Sequence, residues 1–360
     1  MGFWLELGMD GFRVDAVPFV LDHDHLCGGA EIDPHRTLKE LRTFASRRRG
    51  DSLLLGEVAV ADDELASYFG EPPGDQLQML FQFQLMAACH LGFATCSAAP
   101  VADALNSLTP SPAEGQWATF LRNHDELTLY PLSDAEREEV YRAFAPDPDM
   151  RIYNRGIRRR LPPMLDGEPE RLRMAYSLLL SLPGTPVLLY GEEIGMGDNL
   201  DLPGRTSVRT PMQWDGSPNG GFSSANPSKL VRALPDGQWG PLGLNVADQR
   251  RDDRSLLRWM QRMITRRREL PELALGRAVV LPRLPPAVLA HRVDGADRRF
   301  VAVHNFGPEP VSVRLELDGA SLAEISEDNV VDKVVTGDDG TFDIVLAGYG
   351  HRWYVAADRV

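Results

Sequence analysis

The sequence predicts an α/β chain, with a parallel sheet of barrel type through residue 271 and a small antiparallel β domain over 272–360. Three observations carry this. Short apolar strands alternate with helical stretches, the pattern of a parallel sheet. Those strands are apolar on both faces, and four of the five end on polar or charged residues, as barrel strands do where their C-terminal ends form an active-site rim. Beyond residue 271 the helical period disappears and short strands with turns follow.

Taken in order, residues 5–7 run into Gly8, a helix stop, and residues 11–14 read as the first strand. A helical stretch covers 38–48, and "SLLLGE" at 52–57 is the second strand. Residues 80–83 are a third, "ATFLRNHDE" at 118–126 a fourth, and "TPVLLYGEE" at 185–193 a fifth, with a helix over 171–181. Leu256, Leu257, Met260, Met263 and Ile264 form one apolar helix face, with the arginines of 266–268 expected in solvent opposite. Strands are then predicted over 278–281, 287–292, 299–305, 311–317, 341–346 and 352–355, and "DGAD" at 294–297 suits a hairpin connection.

Composition narrows the function. The 360 residues are 43% hydrophobic, enough for a sizeable core. A net charge of −14 argues against nucleic acid or an anionic membrane surface as partner. No run of eighteen apolar residues occurs, and the N-terminal "MGFWLELGMDGF" is not a basic segment leading into an apolar one. Cys27, Cys89 and Cys96 form no CxxC pair, so a reducing, cytoplasmic setting is expected.

Three acids stand out: Asp15, Glu57 and Asp125. Each follows an apolar strand, and their spacing fits one and then two strand–helix units, which would bring all three to one rim. Carboxylates gathered in that way suit glycosidic chemistry, one as nucleophile, one as acid and then base, one holding the sugar. Any one of them alone reads as a helix N-cap or solvated loop residue. "DHDHLC" at 22–27 alternates histidine and aspartate, but such alternation in a loop rarely converges on a metal, and no metal site is assigned. Trp214, Phe222 and Trp239 have faces suited to sugar stacking, although burial is the commoner fate of such rings. The arginine runs at 47–49 and 158–160 are read as solvated helix faces.

"GFRVDAV", "GE" at 56–57 and "RNHDE" resemble the conserved regions of the α-amylase superfamily of retaining glycoside hydrolases and transglucosidases. "FLRNHDELTL", "RGIRRRLPPML", "SLPGTPVLLYGEEIGMGDNL" and "VRTPMQW" resemble its trehalose synthase branch. The resemblance implies that Asp15 is the nucleophile and Glu57 the acid/base. It implies that Asp125 binds sugar hydroxyls, with Arg13 hydrogen-bonding Asp15 and His124 beside Asp125. Glu126 is a further substrate-binding candidate, with a capping role as its alternative. The implied substrate is an α-glucoside such as maltose, trehalose or a malto-oligosaccharide. No cofactor is implied, and calcium, which relatives often bind, is the one ion the resemblance allows.

The segment after the acid departs from that branch: Val58, Ala59 and Val60 stand where an Asn-Gln-Trp-type stretch is usual. Hydrolytic α-glucosidase action is the nearest alternative to isomerisation. By the same resemblance, residues 11–14 correspond to the fourth of eight barrel strands. The chain is therefore expected to hold strands four to eight of a partial (β/α)8 barrel over 1–271, with a β-sandwich domain over 272–360. An N-terminally truncated gene product, a split enzyme completed by a separate barrel half or a second copy, and a non-catalytic remnant all fit that expectation.

Overall fold

The computed structural model describes residues 1–20, 34–295, 298–317, 321–326, 333–335 and 340–357. They fall into two compact units, Met1–Gln84 with Ser107–Thr119, and Leu85–Asn106 with Phe120–Val360.

In the first unit four strands pair in parallel and in chain order: β1 (Gly11–Val14), β2 (Leu53–Gly56), β3 (Met79–Phe81) and β4 (Gln116–Thr119). Parallel pairing needs a crossover, and the helix Pro34–Arg48 supplies it between β1 and β2. That helix starts earlier than its apolar period suggests, because proline is tolerated in a first turn where no intrahelical donor is needed. Leu38 from the helix, Leu54, Leu80 and Trp117 from the strands, and Tyr68 and Phe69 from the β2–β3 connection form one buried cluster. Packing between β1 and β2 is close enough that a Cβ on Gly11 would sit 2.2 Å from the Leu53 carbonyl oxygen, so only glycine fits there.

The second unit contains the helices Asp134–Phe144, Pro169–Ser181 and Leu256–Arg268. The first opens with a capping box between Ser133 and Glu136, which satisfies two otherwise orphaned N–H groups. Leu127–Thr128, Gly156–Ile157 and Arg151–Ile152 make a small antiparallel sheet that sequence pattern did not reveal. The expected strand over 185–193 is only Thr185–Pro186. Pro186 lacks a ladder donor, and further on Leu189 N–H turns to the Glu192 carboxylate at 2.8 Å instead. The strand expected over 118–126 likewise ends at Thr119, its "RNHDE" forming a turn rather than a strand end.

Past Pro271 the chain is antiparallel. A six-stranded sheet runs, in spatial order, Lys333–Val335, Ser321–Glu324, His351–Ala357, Arg299–Asn305, Val288–Asp294 and Ala278–Val280. Val311–Glu316 pairs separately with Thr341–Leu346. Val301, Val303 and Tyr354 of the larger sheet share a core with Val313, Leu315 and Phe342 of the smaller one. Of the "DGAD" hairpin, residues 296 and 297 lie outside the described residues, as does Cys27. Cys89 and Cys96 carry free thiols. No helix among the described residues is long and apolar enough to cross a membrane.

The arginines of 266–268 are not all in solvent. Arg267 is buried, and its guanidinium donates to the carbonyls of Leu180, Leu182 and Gly184 at the end of the preceding helix. These are carbonyls that a helix end and the turn after it leave without partners, so the buried donor is satisfied. Burial lowers the Arg267 pKa to about 10, which leaves it charged at neutral pH.

Three buried histidines, His291, His304 and His351, stack across neighbouring strands with ring centroids 6.2 and 6.4 Å apart. They lie against the helix Pro169–Ser181, where the Ser177 hydroxyl meets His304 Nε2 at 3.0 Å and accepts from Trp353 Nε1 at 2.9 Å. Burial pushes His291 down to about 4 and His351 to about 3, and holds His304 well below its ordinary value. His90, also buried, is lowered to about 4. Because these folded-state values lie below the unfolded value of about 6.5, their contribution to stability is complete above pH ~6.5 and is lost as pH falls towards 3–4. Denaturant unfolding followed between pH 8 and 5 should therefore show stability flat above pH ~7 and then falling, with a slope approaching four protons taken up per unfolding event. A flat profile down to pH 5 would contradict this assignment of neutral, buried rings.

Candidate active site

In the first unit, Arg13, Asp15 and Glu57 come together. β1 and β2 are in register from Gly11↔Leu53 to Val14↔Gly56, so the two strands end side by side. Glu57 N–H then donates to the Val14 carbonyl and Val17 N–H to the Glu57 carbonyl, both at 3.0 Å. These bonds tie Glu57, the residue after β2, to the end of β1 and to the turn that follows it. Immediately after Asp15, Ala16 adopts φ of 45°, a conformation uncommon for a residue with a Cβ. Such strain collects at functional sites. Asp15 is left with a side chain 72% exposed, whereas that of Glu57 is 22% exposed.

Arg13 Nη2 lies 2.9 Å from Asp15 Oδ1 and also contacts Glu57 Oε2. Two oxygens that touch one nitrogen lie within about two hydrogen-bond lengths, ~6 Å, of each other. Gly56, beside the acid, has no room for a side chain, since a Cβ there would sit 2.4 Å from Leu77 Cδ1. The paired carboxylates thus stand on a closely packed base. Val58, just past Glu57, is buried in the core beneath the sheet, and Val60 packs against the same cluster.

The second unit gathers His124, Asp125 and Glu126. Asp125 N–H donates to Asn123 Oδ1 at 3.0 Å, a tight local turn. Arg209 Nε donates to the His124 carbonyl at 2.6 Å, and its Nη2 contacts Asp125 Oδ1. Arg205 lies 3.4 Å from the same Asp125 oxygen and 2.6 Å from Glu126 Oε2. His124 Nε2 is 3.8 Å from Asp125 Oδ2, too long for a hydrogen bond, so its ring stands beside the carboxylate without donating to it. Glu126 is buried in an ion pair and caps no helix.

Beneath this turn lies a buried charge network. Arg122 donates to the carbonyls of Asp125 and Arg159, both at 2.8 Å. Arg160, buried rather than solvated, donates to the Val208 and Tyr190 carbonyls, while its N–H is bonded to Asp198 Oδ2 at 2.8 Å. Arg158 likewise turns inward, to the carbonyls of Leu200, Leu202 and Gly204. Residues 158–160 are therefore interior struts and not a solvated face. Burial pushes Glu192 up to about 7 and Arg122 down to about 10, the nearby opposite charges working against both shifts.

Arg122, Arg205 and Arg209 were absent from the candidate residues read from sequence. The signal for two of them was present, in the arginine that opens "RNHDE" and the one in "VRTPMQW". Among the described residues no cluster of three or more His, Cys, Asp or Glu side chains is placed to hold a metal ion. Residues 22–27 lie outside the described residues.

Two carboxylates thus pair at parallel strand ends, and a third acid is held by arginines elsewhere in the chain. The family described as "Alpha amylase, catalytic domain" matches residues 1–144 and 160–276, and "Sucrose hydrolase-like, C-terminal domain" matches 298–354. The chain belongs to the alpha-amylase catalytic-domain family, whose TIM-barrel-like α/β fold it shares. It is 40% identical over 323 residues to the trehalose synthase/amylase TreS of Mycobacterium tuberculosis, covering 88% of this chain and 53% of that one. It is 37% identical over 374 residues to the trehalose synthase of Pimelobacter sp., covering 99% of this chain and 64% of that one. Among solved structures, an alpha-amylase from H. orenii aligns with a TM-score of 0.73 at 20% identity, over 99% of this chain and 62% of its own. The chain thus spans between half and two thirds of the length of these relatives.

The two kinds of arginine should behave differently when removed. Arg122→Ala strips donors from two carbonyls and leaves buried Glu192 and Asp198 short of positive charge, a change expected to cost about 3–5 kcal/mol. Arg209→Ala, at a partly exposed pair, should cost no more than about 1 kcal/mol. Urea denaturation of both variants checks this, and equal losses would show that the buried network is not what holds the turn.

Proposed function

We propose that the protein cleaves or rearranges α-glucosidic bonds of short α-glucosides by a retaining double displacement. The observation that carries this reading is the contact of Arg13 with both Asp15 and Glu57. Retention requires nucleophile and acid about 5–5.5 Å apart, too close to admit a water between them, and two carboxylates on one guanidinium are compatible with that spacing. Asp15 attacks the anomeric carbon as the bond to the leaving oxygen breaks, and Glu57 delivers its proton to that oxygen. Glu57 then removes the proton of an acceptor hydroxyl, which attacks the same carbon and releases Asp15. Asp125, held by Arg209 and Arg205, takes sugar hydroxyls, and His124 and Glu126 line the same turn. Every step is assigned to a side chain, so the reaction needs no cofactor.

The architecture in this reading is strands four to eight of a (β/α)8 barrel over residues 1–271 and a β-sandwich over 272–360. It is supported by the parallel register of β1–β4 and by the core common to the two C-terminal sheets.

Similarity to trehalose synthases favours transfer of the glucosyl unit to glucose, giving trehalose. Hydrolysis is favoured by a specific observation: Val58 and Val60 turn into the core, so they offer no polar or aromatic surface to an acceptor sugar. Maltose turnover followed by nuclear magnetic resonance separates these outcomes. The first-formed sugar should have the α configuration, and free glucose should accompany any trehalose. A β product would overturn the retaining mechanism. Asp15→Asn should lower turnover by several orders of magnitude with the fold intact, and near-normal activity in that variant would remove Asp15 from the reaction.

A further inference from the structure

Within the second unit, a cavity of ≈ 810 Å³ is walled by the helices Pro169–Ser181 and Leu256–Arg268 and by Ile325 and Ser326, which follow the strand Ser321–Glu324. Five arginines line it, Arg173, Arg254, Arg258, Arg262 and Arg266, and among the described lining residues Asp253 is the one acid. Composition does not account for this, since the chain as a whole carries a net charge of −14. Arg258, Arg262 and Arg266 stand four residues apart on one helix and so share a face, a spacing at which like charges disfavour the helix. That repulsion is concentrated along the wall of a concavity.

The surroundings fix these guanidiniums more than they neutralise them. Arg173 Nη2 donates to the Arg254 carbonyl at 2.7 Å. Arg258 donates to the Arg250 carbonyl at 2.6 Å and to Gln261 Oε1 at 3.0 Å, and Arg262 Nη1 to the Asp253 carbonyl at 3.1 Å. Arg266 meets Glu269 at 3.4 Å, but that carboxylate is more than half exposed, and such surface pairs are weak. Glu324, next to the wall, is already taken up by Arg352 at 3.0 Å and by the Ser326 hydroxyl at 2.8 Å. Trp259, a lining residue only 3% exposed, has an indole N–H that meets no acceptor among the described residues. Buried donors are seldom left in that state.

We propose that this cavity binds a small phosphorylated metabolite, with its phosphoryl oxygens on Arg254, Arg258 and Arg262. Guanidinium forks match the oxygens of a tetrahedral phosphate two at a time, and several forks can share one dianion. A single carboxylate would occupy one fork and leave the rest facing each other. The volume is that of a pocket for a whole organic ligand, far more than inorganic phosphate fills, so the phosphate should carry an organic group. A concavity, in a chain whose net charge repels polyanions at long range, favours a small molecule over a nucleic acid or an acidic protein surface. The site uses none of Asp15, Glu57 and Asp125 and stands apart from the glycosidic reaction assigned above.

Calorimetric titration of the full chain with glucose 6-phosphate, adenosine triphosphate and inorganic phosphate at fixed ionic strength tests this. At least one of the organic phosphates should bind at one per chain, roughly tenfold or more tighter than inorganic phosphate, and which one does so distinguishes a sugar phosphate from a nucleotide. Arg254→Gln and Arg262→Gln should each weaken that binding roughly tenfold. Arg254 is exposed, and its side chain donates to no backbone group among the described residues, so its replacement leaves the fold undisturbed. Arg268→Gln removes the same charge from an exposed position on the same helix outside the cavity, and should change the affinity less than about twofold. Equal losses in Arg254→Gln and Arg268→Gln would reduce the effect to general surface charge and overturn the site. So would inorganic phosphate binding as tightly as either organic phosphate, or no saturable binding of any of the three. Binding of polyglutamate or an oligonucleotide in place of the small phosphates would overturn it in favour of a macromolecular interface.

Discussion

A single guanidinium constrains the C-terminal ends of β1 and β2 in the first unit. Arg13 meets Asp15 and Glu57 together because β1 and β2 run parallel, in register, and end at the same level. The backbone bonds of Glu57 to Val14 and Val17 hold that level beyond the last paired residues. Gly11 and Gly56 allow the close packing this needs, since a Cβ at either would meet neighbouring atoms within 2.4 Å. Two carboxylates brought this near would repel one another without a cation between them. The ion pair is thus both a structural condition for the site and a source of its spacing.

In the second unit arginines hold the backbone more than they hold other charges. Arg122, Arg158, Arg160 and Arg267 donate mainly to main-chain carbonyls in turns and at a helix end, where no regular ladder satisfies them. A rigid fork with five donors suits that work, and removing one leaves several acceptors without partners. The turn carrying Asp125 depends on this network from below and on Arg205 and Arg209 from the side. Arg209 also lines an aromatic cavity.

Much of this was legible in the sequence, and the exceptions have physical causes. The strand at 11–14 and the strands at 299–305 and 341–346 have the bounds their pattern predicts, because buried β positions leave a clear apolar signature. The strand expected over 185–193 is shortened by Pro186 and by a side-chain acceptor that takes over a backbone donor. Two-residue strands such as Leu127–Thr128 are too short to show a period. Asp15, Glu57, Asp125 and Arg13 were visible because each sits in a recognisable local motif. Arg205 and Arg209 meet Asp125 only through tertiary contact from some eighty positions away, so even the motif that contains Arg209 does not name its partner. The arginine run at 158–160 misled for a related reason, since charge alone does not tell a solvated side chain from one that satisfies buried carbonyls.

The central claim is that Asp15 is the nucleophile and Glu57 its paired acid/base. Covalent trapping tests it most directly. A fluorinated α-glucosyl fluoride, which forms the glycosyl-enzyme readily and turns it over slowly, should add one glycosyl unit to the intact protein. Peptide mapping by mass spectrometry should place that unit on Asp15 in the wild-type protein, with no label in Asp15→Asn. A label on Glu57, or turnover of the unfluorinated fluoride with no covalent adduct at Asp15, would contradict the account.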